Sequence, residues 1–335
     1  MFSQFSATMI SGGIDMCTCF TLTNQDFYFG RNLDLDSSFG EQVIITPRNY
    51  PFHFLHQSDL KNHYALIGMA TDIDGTPLYA EAANEKGLAM AGLQFSGNAI
   101  YFPVQDGKDN IAPFEIIPWI LGQCSKVKEA RFLLENANII DTPFRPNVPN
   151  SPLHWILADK DECIVIESVK DGLKIYEDPI GVLTNNPPFD FHVLNLQQYL
   201  NITKEYPDNR FSSDLDLKPY AVGMGAKGLP GDASSTSRFI QTAFLKHNLY
   251  TDGSQVDSVQ QFFRVLQHVS MIKGSVMTEQ QTMDYTLYSC CIDVTKGIYY
   301  YTTHENSQIC KVDMALQDLE GNSPIIYPLQ RQSMI

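Results

Sequence analysis

The sequence predicts an α+β fold built on antiparallel sheets, and three features predict it. Short segments rich in β-branched and aromatic residues recur along the chain, many separated by only a few turn-forming residues, a spacing that requires antiparallel neighbours. Segments with a helical apolar period are few, and they stand in blocks between runs of strands instead of alternating with them. No internal repeat or low-complexity linker divides the 335 residues. A chain of that length buries most of its apolar surface without disulfides or a structural metal.

Residues 17–23 (Cys-Thr-Cys-Phe-Thr-Leu-Thr) read as a strand, Asn24-Gln25-Asp26 as a turn, and 27–33 as the returning strand of a hairpin. Further strands are expected at 42–46, 64–69, 88–95, 154–158, 163–167 and 173–176. A late pair is expected at 286–292 and 298–302, joined through Lys296-Gly297. Helices are expected at 127–137, where Val127, Ala130, Leu133 and Leu134 share a face, at 239–249 (Phe239, Ala243, Phe244) and at 259–269 (Phe262, Phe263, Leu266, Val269). The Pro-rich stretch 142–152 reads as a loop inside one domain spanning 17–335, because strand patterning resumes directly after it.

Acids outnumber bases 38 to 23, a formal charge of -15, which argues against a nucleic-acid partner. No window approaches the ~18 uninterrupted apolar residues of a membrane-spanning helix. The seven cysteines are odd in number and contain no CxxC pair, which argues against a disulfide framework or zinc ribbon and fits a reducing cytoplasm. Cys290 and Cys291 stand in an apolar run and read as core thiols. Residues 1–15 contain no Lys or Arg and no sustained apolar core, unlike a secretory signal. They read as an extension absent from the active protein, with Met16 as initiator.

Several motifs lack the context that would give them meaning. Gly223-Met224-Gly225-Ala226-Lys227-Gly228 matches G-x-G-x-x-G, but no clear strand precedes it and Leu229-Pro230-Gly231 follows where a helix should open. These glycines are expected in a tight loop close to other backbone. Ser58-x-x-Lys61 and Ser270-x-x-Lys273 lack the companion motifs of acyl enzymes of that type. His53 and His56 have no carboxylate cluster to complete a metal site. No metal or organic cofactor is expected.

The chemistry centres on Cys17. Removal of Met16 would leave Cys17 first in the chain, with a thiol and a free α-amine in one residue. An α-amine has an unperturbed pKa of about 7.7–8.0, so it can take the thiol proton near neutral pH and serve as the nucleophile's own base. A two-residue hairpin loop places Cys17 opposite Asn32, and a three-residue loop places it opposite Leu33. Either register brings Arg31 and Asp34 to its flanks. A guanidinium there would favour thiolate, and a carboxylate would hold or orient the amine.

Met16-Cys17-Thr18, Phe29-Gly30-Arg31-Asn32-Leu33-Asp34 and Thr46-Pro47-Arg48-Asn49-Tyr50 resemble the choloylglycine hydrolase family. So do Asn84-Glu85-Lys86-Gly87-Leu88, Gly181-Val182-Leu183-Thr184-Asn185-Asn186-Pro187, Leu229-Pro230-Gly231-Asp232 and Ser237-Arg238-Phe239, in the same order and with similar spacing nearly to the C-terminus. The family comprises conjugated bile acid hydrolases and penicillin V acylases. The resemblance implies an N-terminal-nucleophile hydrolase: a four-layer αββα sandwich of two mainly antiparallel sheets, found in bacterial cytoplasm and assembled as a homotetramer. It makes Cys17 the nucleophile and places Arg31, Asp34, Asn185 and Arg238 at family active-site positions.

One position departs from the pattern. Bile acid hydrolases typically carry Asn, and penicillin V acylases often Tyr, where this chain has Gln94 in Ala91-Gly92-Leu93-Gln94-Phe95. That side chain lies at the family's oxyanion hole, and Gln keeps the amide donor on a longer stem. The implied reaction is hydrolysis of glycine- or taurine-conjugated bile acids. The alternative is cleavage of penicillin V or of another N-acyl amide, such as an acyl homoserine lactone. A non-catalytic binding protein with a blocked N-terminus is a third reading. Leu33 and the loop from Ile73 to Leu78, next to family pocket positions, are candidates to line an apolar acyl pocket. Arg31 and Arg238 are candidates to receive anionic substrate groups.

Overall fold

A computed structural model describes residues 16–146 and 148–332; the expectations for residues 1–15 lie outside them. In chain order the elements are β1 (Met16–Thr23), β2 (Phe27–Leu35), β3 (Gln42–Thr46), β4 (Leu66–Ile73), β5 (Thr76–Asn84), β6 (Ala89–Gln94), β7 (Asp109–Ile111), α1 (Ile116–Leu121), α2 (Val127–Leu134), β8 (Ala137–Ile139) and β9 (Leu153–Ala158). There follow β10 (Cys163–Val169), β11 (Gly172–Glu177), β12 (Val182–Leu183), α3 (Phe189–Leu196), α4 (Ser235–Asn248), α5 (Gln255–His268), β13 (Val276–Met277), β14 (Met283–Asp293), β15 (Ile298–Thr303), β16 (Cys310–Asp313) and β17 (Ile325–Pro328).

Two antiparallel sheets carry the fold. The first runs β12-β1-β2-β14-β15-β16, with β13 paired to β14, and the second runs β11-β10-β9-β6-β5-β4-β3-β17. β1 and β6 meet face to face across the sandwich. Helices α4 and α5 cover the outer face of the first sheet, and α1 and α2 cover the second, which gives the layer order αββα. Both faces of the central strands are therefore dry. This is why β2 is buried at every position and shows no polar alternation.

Local chemistry explains most boundaries. The β1–β2 loop is Asn24 to Asp26, closed by the Asp26 amide donating to Asn24 Oδ1 at 3.1 Å. Gly30 on β2 has no substitute, because a Cβ there would lie 2.0 Å from the Cys290 carbonyl oxygen on β14. Helix α4 starts four residues before the expected start at 239, and α5 also starts four residues early. Their first turns are polar and carry no apolar period, but Ser234 and Ser254 cap them by accepting from the Ser237 and Asp257 amides. At 64–69 the strand begins only at Leu66 and continues to Ile73.

The segment from Ile73 to Leu78, expected as a loop, is instead the tip of the β4–β5 hairpin. Asp74 and Gly75 form its turn with φ of 55° and 85°, the positive angles that an Asp-Gly pair supplies. The strand Thr76–Asn84 and the helices Ile116–Leu121 and Phe189–Leu196 are additional to those expected. The glycine-rich run 223–228 forms a short turn, and a Cβ on Gly225 would stand 2.2 Å from the Glu205 carbonyl oxygen. Residues 142–152 form a loop without helix or strand among those described.

Candidate active site

The three-residue loop sets the register, so Cys17 stands opposite Leu33, and Arg31 and Asp34 opposite Cys19 and Met16. Strand alternation then separates the two flanking residues. Arg31 shares the inter-sheet face with Cys17, whereas Asp34 shares the helix-facing side with Met16 and Thr18.

On the inter-sheet face, Cys17 is 4% exposed, and Arg31 Nη2 donates to its Sγ. The remaining Arg31 donors bond the carbonyls of Asn32, Ala80 and Gly92. Behind Arg31, Glu81 Oε2 lies 3.7 Å from Nη1. Glu81 is itself held by the Tyr288 hydroxyl at 2.8 Å and the Tyr299 hydroxyl at 2.6 Å. Burial works against the Arg31 charge, but the opposing fields of Cys17, Tyr288 and Glu81 outweigh it and raise its pKa further. A fixed cation therefore touches the sulfur, the arrangement that favours thiolate.

A second set of contacts holds the Cys17 backbone. Its nitrogen donates to Asn185 Oδ1 at 2.8 Å, and Arg238 Nη2 donates to the same oxygen at 2.8 Å. Two converging donors identify that atom as the amide oxygen. Asn185 Nδ2 consequently points to the Gln94 carbonyl, 2.9 Å away. The Asn185 main chain is fixed through its amide to Ser235 Oγ and through its carbonyl to His192 Nε2, each at 2.9 Å. Burial lowers the His192 pKa to about 4, so the ring is neutral and donates from Nε2. Arg238, on the first turns of α4, also donates to Thr18 Oγ1 at 2.6 Å, to the Cys17 carbonyl and to the Ala233 carbonyl.

Asp34 is fully buried and accepts from Thr286 Oγ1 at 2.5 Å. Burial raises its pKa to about 6, against the opposing influence of Arg238, Thr286 and Arg31.

The inter-sheet face opens into an apolar cleft. Cys17 and Arg31 lie at its floor, Gln94 on its wall, and Leu33, Ile73 and Leu78 line it together with Leu35, Phe39, Phe114 and Phe144. Counted out to open solvent the cleft holds about 1280 Å³. Asp34, Asn185 and Arg238 do not line it. Arg238 is 1% exposed with its guanidinium committed to protein acceptors, so it is not placed to receive an anionic substrate group, contrary to expectation. Among the described residues, no group of three His, Cys, Asp or Glu side chains is positioned to hold a metal ion.

Residue-pattern reasoning misses Glu81, Phe114 and Phe144. Glu81 had a signal, since a lone acid in Ala80-Glu81-Ala82-Ala83 implies a buried, paired charge. The others arrive from distant elements and carry none.

The sequence profile described as linear amide C–N hydrolases, choloylglycine hydrolase family, matches residues 17–327. A bile salt hydrolase/transferase of Lactiplantibacillus plantarum is 47% identical over 95% of this chain and 98% of its own length. A conjugated bile acid hydrolase of Lactobacillus gasseri is 38% identical, covering 93% of this chain and all of that protein. Among solved structures, a variant of the conjugated bile acid hydrolase from Clostridium perfringens superposes with a TM-score of 0.88 at 38% identity, covering 95% of this chain and 98% of that one. Penicillin V acylase from Agrobacterium tumefaciens shares the fold, with a TM-score of 0.74 at 19% identity over 95% of this chain and 94% of its own.

Proposed function

Since this chain belongs to the choloylglycine hydrolase family of linear amide C–N hydrolases, we propose that it hydrolyses the amide bond of glycine- or taurine-conjugated bile acids, using Cys17 as nucleophile in a form that begins at that residue. The observation that carries this reading is the double hold on Cys17. Its sulfur touches the Arg31 guanidinium, and its nitrogen is fixed 2.8 Å from Asn185 Oδ1, at the floor of a cleft walled by Leu33, Ile73, Leu78, Phe114 and Phe144. Such walls suit a large apolar acyl group, and the relatives named above act on bile salts.

The contacts of Cys17 support a reaction by acyl transfer through its sulfur. The free Cys17 amine takes the thiol proton, and the thiolate attacks the acyl carbon of the substrate. Donors from Gln94 and a backbone N–H hold the oxyanion, with Asn185 adjacent. Each such donor lowers the barrier by ~2.7–4 kcal/mol. The α-ammonium then returns the proton to the departing amine as the C–N bond breaks and a thioester remains. Water activated by the same amine adds to the thioester, releasing the acid and restoring the thiol. Arg31 stays charged throughout and offsets the sulfur's negative charge.

Gln94 in place of the usual Asn is the reason to test penicillin V beside glycocholate and taurocholate, with the released amine or penicillin nucleus quantified for each. Turnover of penicillin V alone overturns the bile acid assignment. Intact mass of active protein should show a chain starting at Cys17, 319 residues long (335 − 16). Active protein that keeps Met16 overturns the amine's role. The proposed setting is cytoplasmic and the proposed assembly a homotetramer. Exposed Phe191, Leu194, Leu200, Phe211 and Tyr220 supply apolar surface for self-association, and light scattering at four times the chain mass is the expected result.

A further inference from the structure

Glu81 on β5 is fully buried, and the polar contacts of its carboxyl are all with donors. Its Oε1 accepts from the Tyr299 hydroxyl at 2.6 Å and lies 3.5 Å from the Cys290 thiol. Its Oε2 accepts from the Tyr288 hydroxyl at 2.8 Å and stands 3.7 Å from Arg31 Nη1. Its strand neighbours, Met69 on β4 and Ala91 on β6, carry no charge. The titratable and charged groups facing it therefore come from the opposite sheet. They are Arg31 from β2, Tyr288 and Cys290 from β14, Tyr299 from β15 and, at longer range, Cys19 from β1.

Burial raises the Glu81 pKa, opposed first by the Arg31 charge and then by the donors from Tyr299, Tyr288 and Cys290. The Arg31 guanidinium settles the balance. It is 1% exposed and cannot give up its proton, so it requires a buried counter-charge. Among the described residues, Glu81 is the carboxylate within 4 Å of it.

The guanidinium is shared. Nη2 reaches Cys17 Sγ, while Nη1 meets the Gly92 and Ala80 carbonyls and faces Glu81. Two anions on one cation compete for it. A negative Glu81 offsets part of the field that Arg31 exerts on the sulfur, which leaves the thiolate more basic than an unopposed guanidinium would. A more basic thiolate is also the stronger nucleophile.

We propose that Glu81 is a positioning residue for the reaction: the buried counter-ion that fixes Arg31 against Cys17 Sγ and tempers its hold on the sulfur's charge. The assignment rests on the proposed function in one respect, that Cys17 is the nucleophile. Glu81 acts through Arg31 and does not line the cleft.

The test is Glu81→Gln, made in protein whose mass shows Cys17 as first residue. The amide has the same shape and can pair with both tyrosine hydroxyls, and Arg31 keeps its three carbonyl partners, so the change is the loss of one charge. The readout is the pH dependence of Cys17 alkylation by iodoacetamide, located on the Cys17 peptide by mass. The midpoint should fall by about one pH unit, so that one unit below the wild-type midpoint the rate relative to its own plateau rises about fivefold. The plateau rate, and kcat/KM for the amide substrate, should fall about threefold, because a less basic thiolate attacks more slowly. KM should change little. Glu81→Asp keeps the charge and should hold the midpoint within ~0.3 unit of wild type.

A midpoint that stays or rises in Glu81→Gln, or an equal shift in Glu81→Asp, overturns the proposal. So does a uniform loss of rate at an unchanged midpoint, which is what a purely structural role gives. Should Glu81→Gln fail to fold, Glu81→Ser removes the same charge, leaves room for water at the tyrosine hydroxyls and is read in the same way. Alkylation needs no amide substrate, so absent turnover of conjugated bile acids would refute the proposed function separately from any result at Glu81.

Discussion

Arg238→Lys isolates the geometry that the guanidinium imposes from the charge it carries. Arg238 serves four acceptors with a planar fork: the Ala233 carbonyl at 3.0 Å, Thr18 Oγ1 at 2.6 Å, Asn185 Oδ1 at 2.8 Å and the Cys17 carbonyl. A lysine ammonium keeps the charge opposite Asp34 but cannot span these directions, so at least two acceptors lose their donor in a site that is 1% exposed. At roughly 1–3 kcal/mol per unsatisfied buried group, stability should fall by about 4 kcal/mol, lowering the urea midpoint by more than ~1 M. The kinetic effect runs through Asn185. Without Arg238 Nη2, its amide is no longer forced to present Oδ1 to the Cys17 nitrogen, and both nucleophile and oxyanion donors lose their alignment. A loss of ~2.7–4 kcal/mol in barrier stabilisation is about 10²–10³ in kcat. KM should stay within about twofold, since Arg238 does not line the cleft. Urea unfolding and steady-state hydrolysis of glycocholate measure both effects. A variant within ~1 kcal/mol of wild type and within threefold in kcat would refute the claim that fork geometry matters here.

Cys17→Ala should abolish turnover and keep the circular dichroism spectrum and unfolding midpoint close to wild type, and Cys17→Ser should retain under about 1% of kcat, since an alcohol is a poor nucleophile at neutral pH; wild-type turnover in the alanine variant would remove Cys17 from the mechanism. Asp34→Asn should stabilise the chain in which Met16 is still joined to Cys17. The folded pKa of about 6 lies above the unfolded value near 3.8, so the wild-type carboxyl favours folding fully only below pH ~4 and loses that contribution as pH rises through 6. The gain of the variant over wild type should grow across that window to about 3 kcal/mol, shrink when the α-ammonium is freed, and be read by urea titrations at pH 4, 5, 6 and 7.5; a pH-independent difference contradicts it. Phe144→Ala, in the cleft wall, should raise KM for the bile acid conjugate by roughly tenfold with little change in kcat, the mark of lost apolar contact shared by ground and transition states.

Local sequence determined a good deal of this protein. The hairpin that carries Cys17, Arg31 and Asp34 is written into one contiguous stretch, where turn residues and β-branched neighbours suffice to define two strands. The order of short motifs from Met16 to Phe239 pointed to the αββα sandwich through their resemblance to the family, and the fold brings the Cys17, Arg31, Asn185 and Arg238 motifs together. Tertiary structure decided what distance along the chain conceals. Pattern left two hairpin registers open, and only the Asn24–Asp26 turn, packed in its sheet, put Cys17 opposite Leu33. Arg238 looked like a substrate contact until α4 pinned it beneath the Cys17 carbonyl and Asn185. Glu81 and Phe144 lie 64 and 127 residues away from Cys17 along the chain, and no local period or turn signal records that they will meet at its site. A strand's sequence specifies which residues share a face. The electrostatic neighbours of that face come from other strands and helices, and only the burial of the whole sandwich selects them.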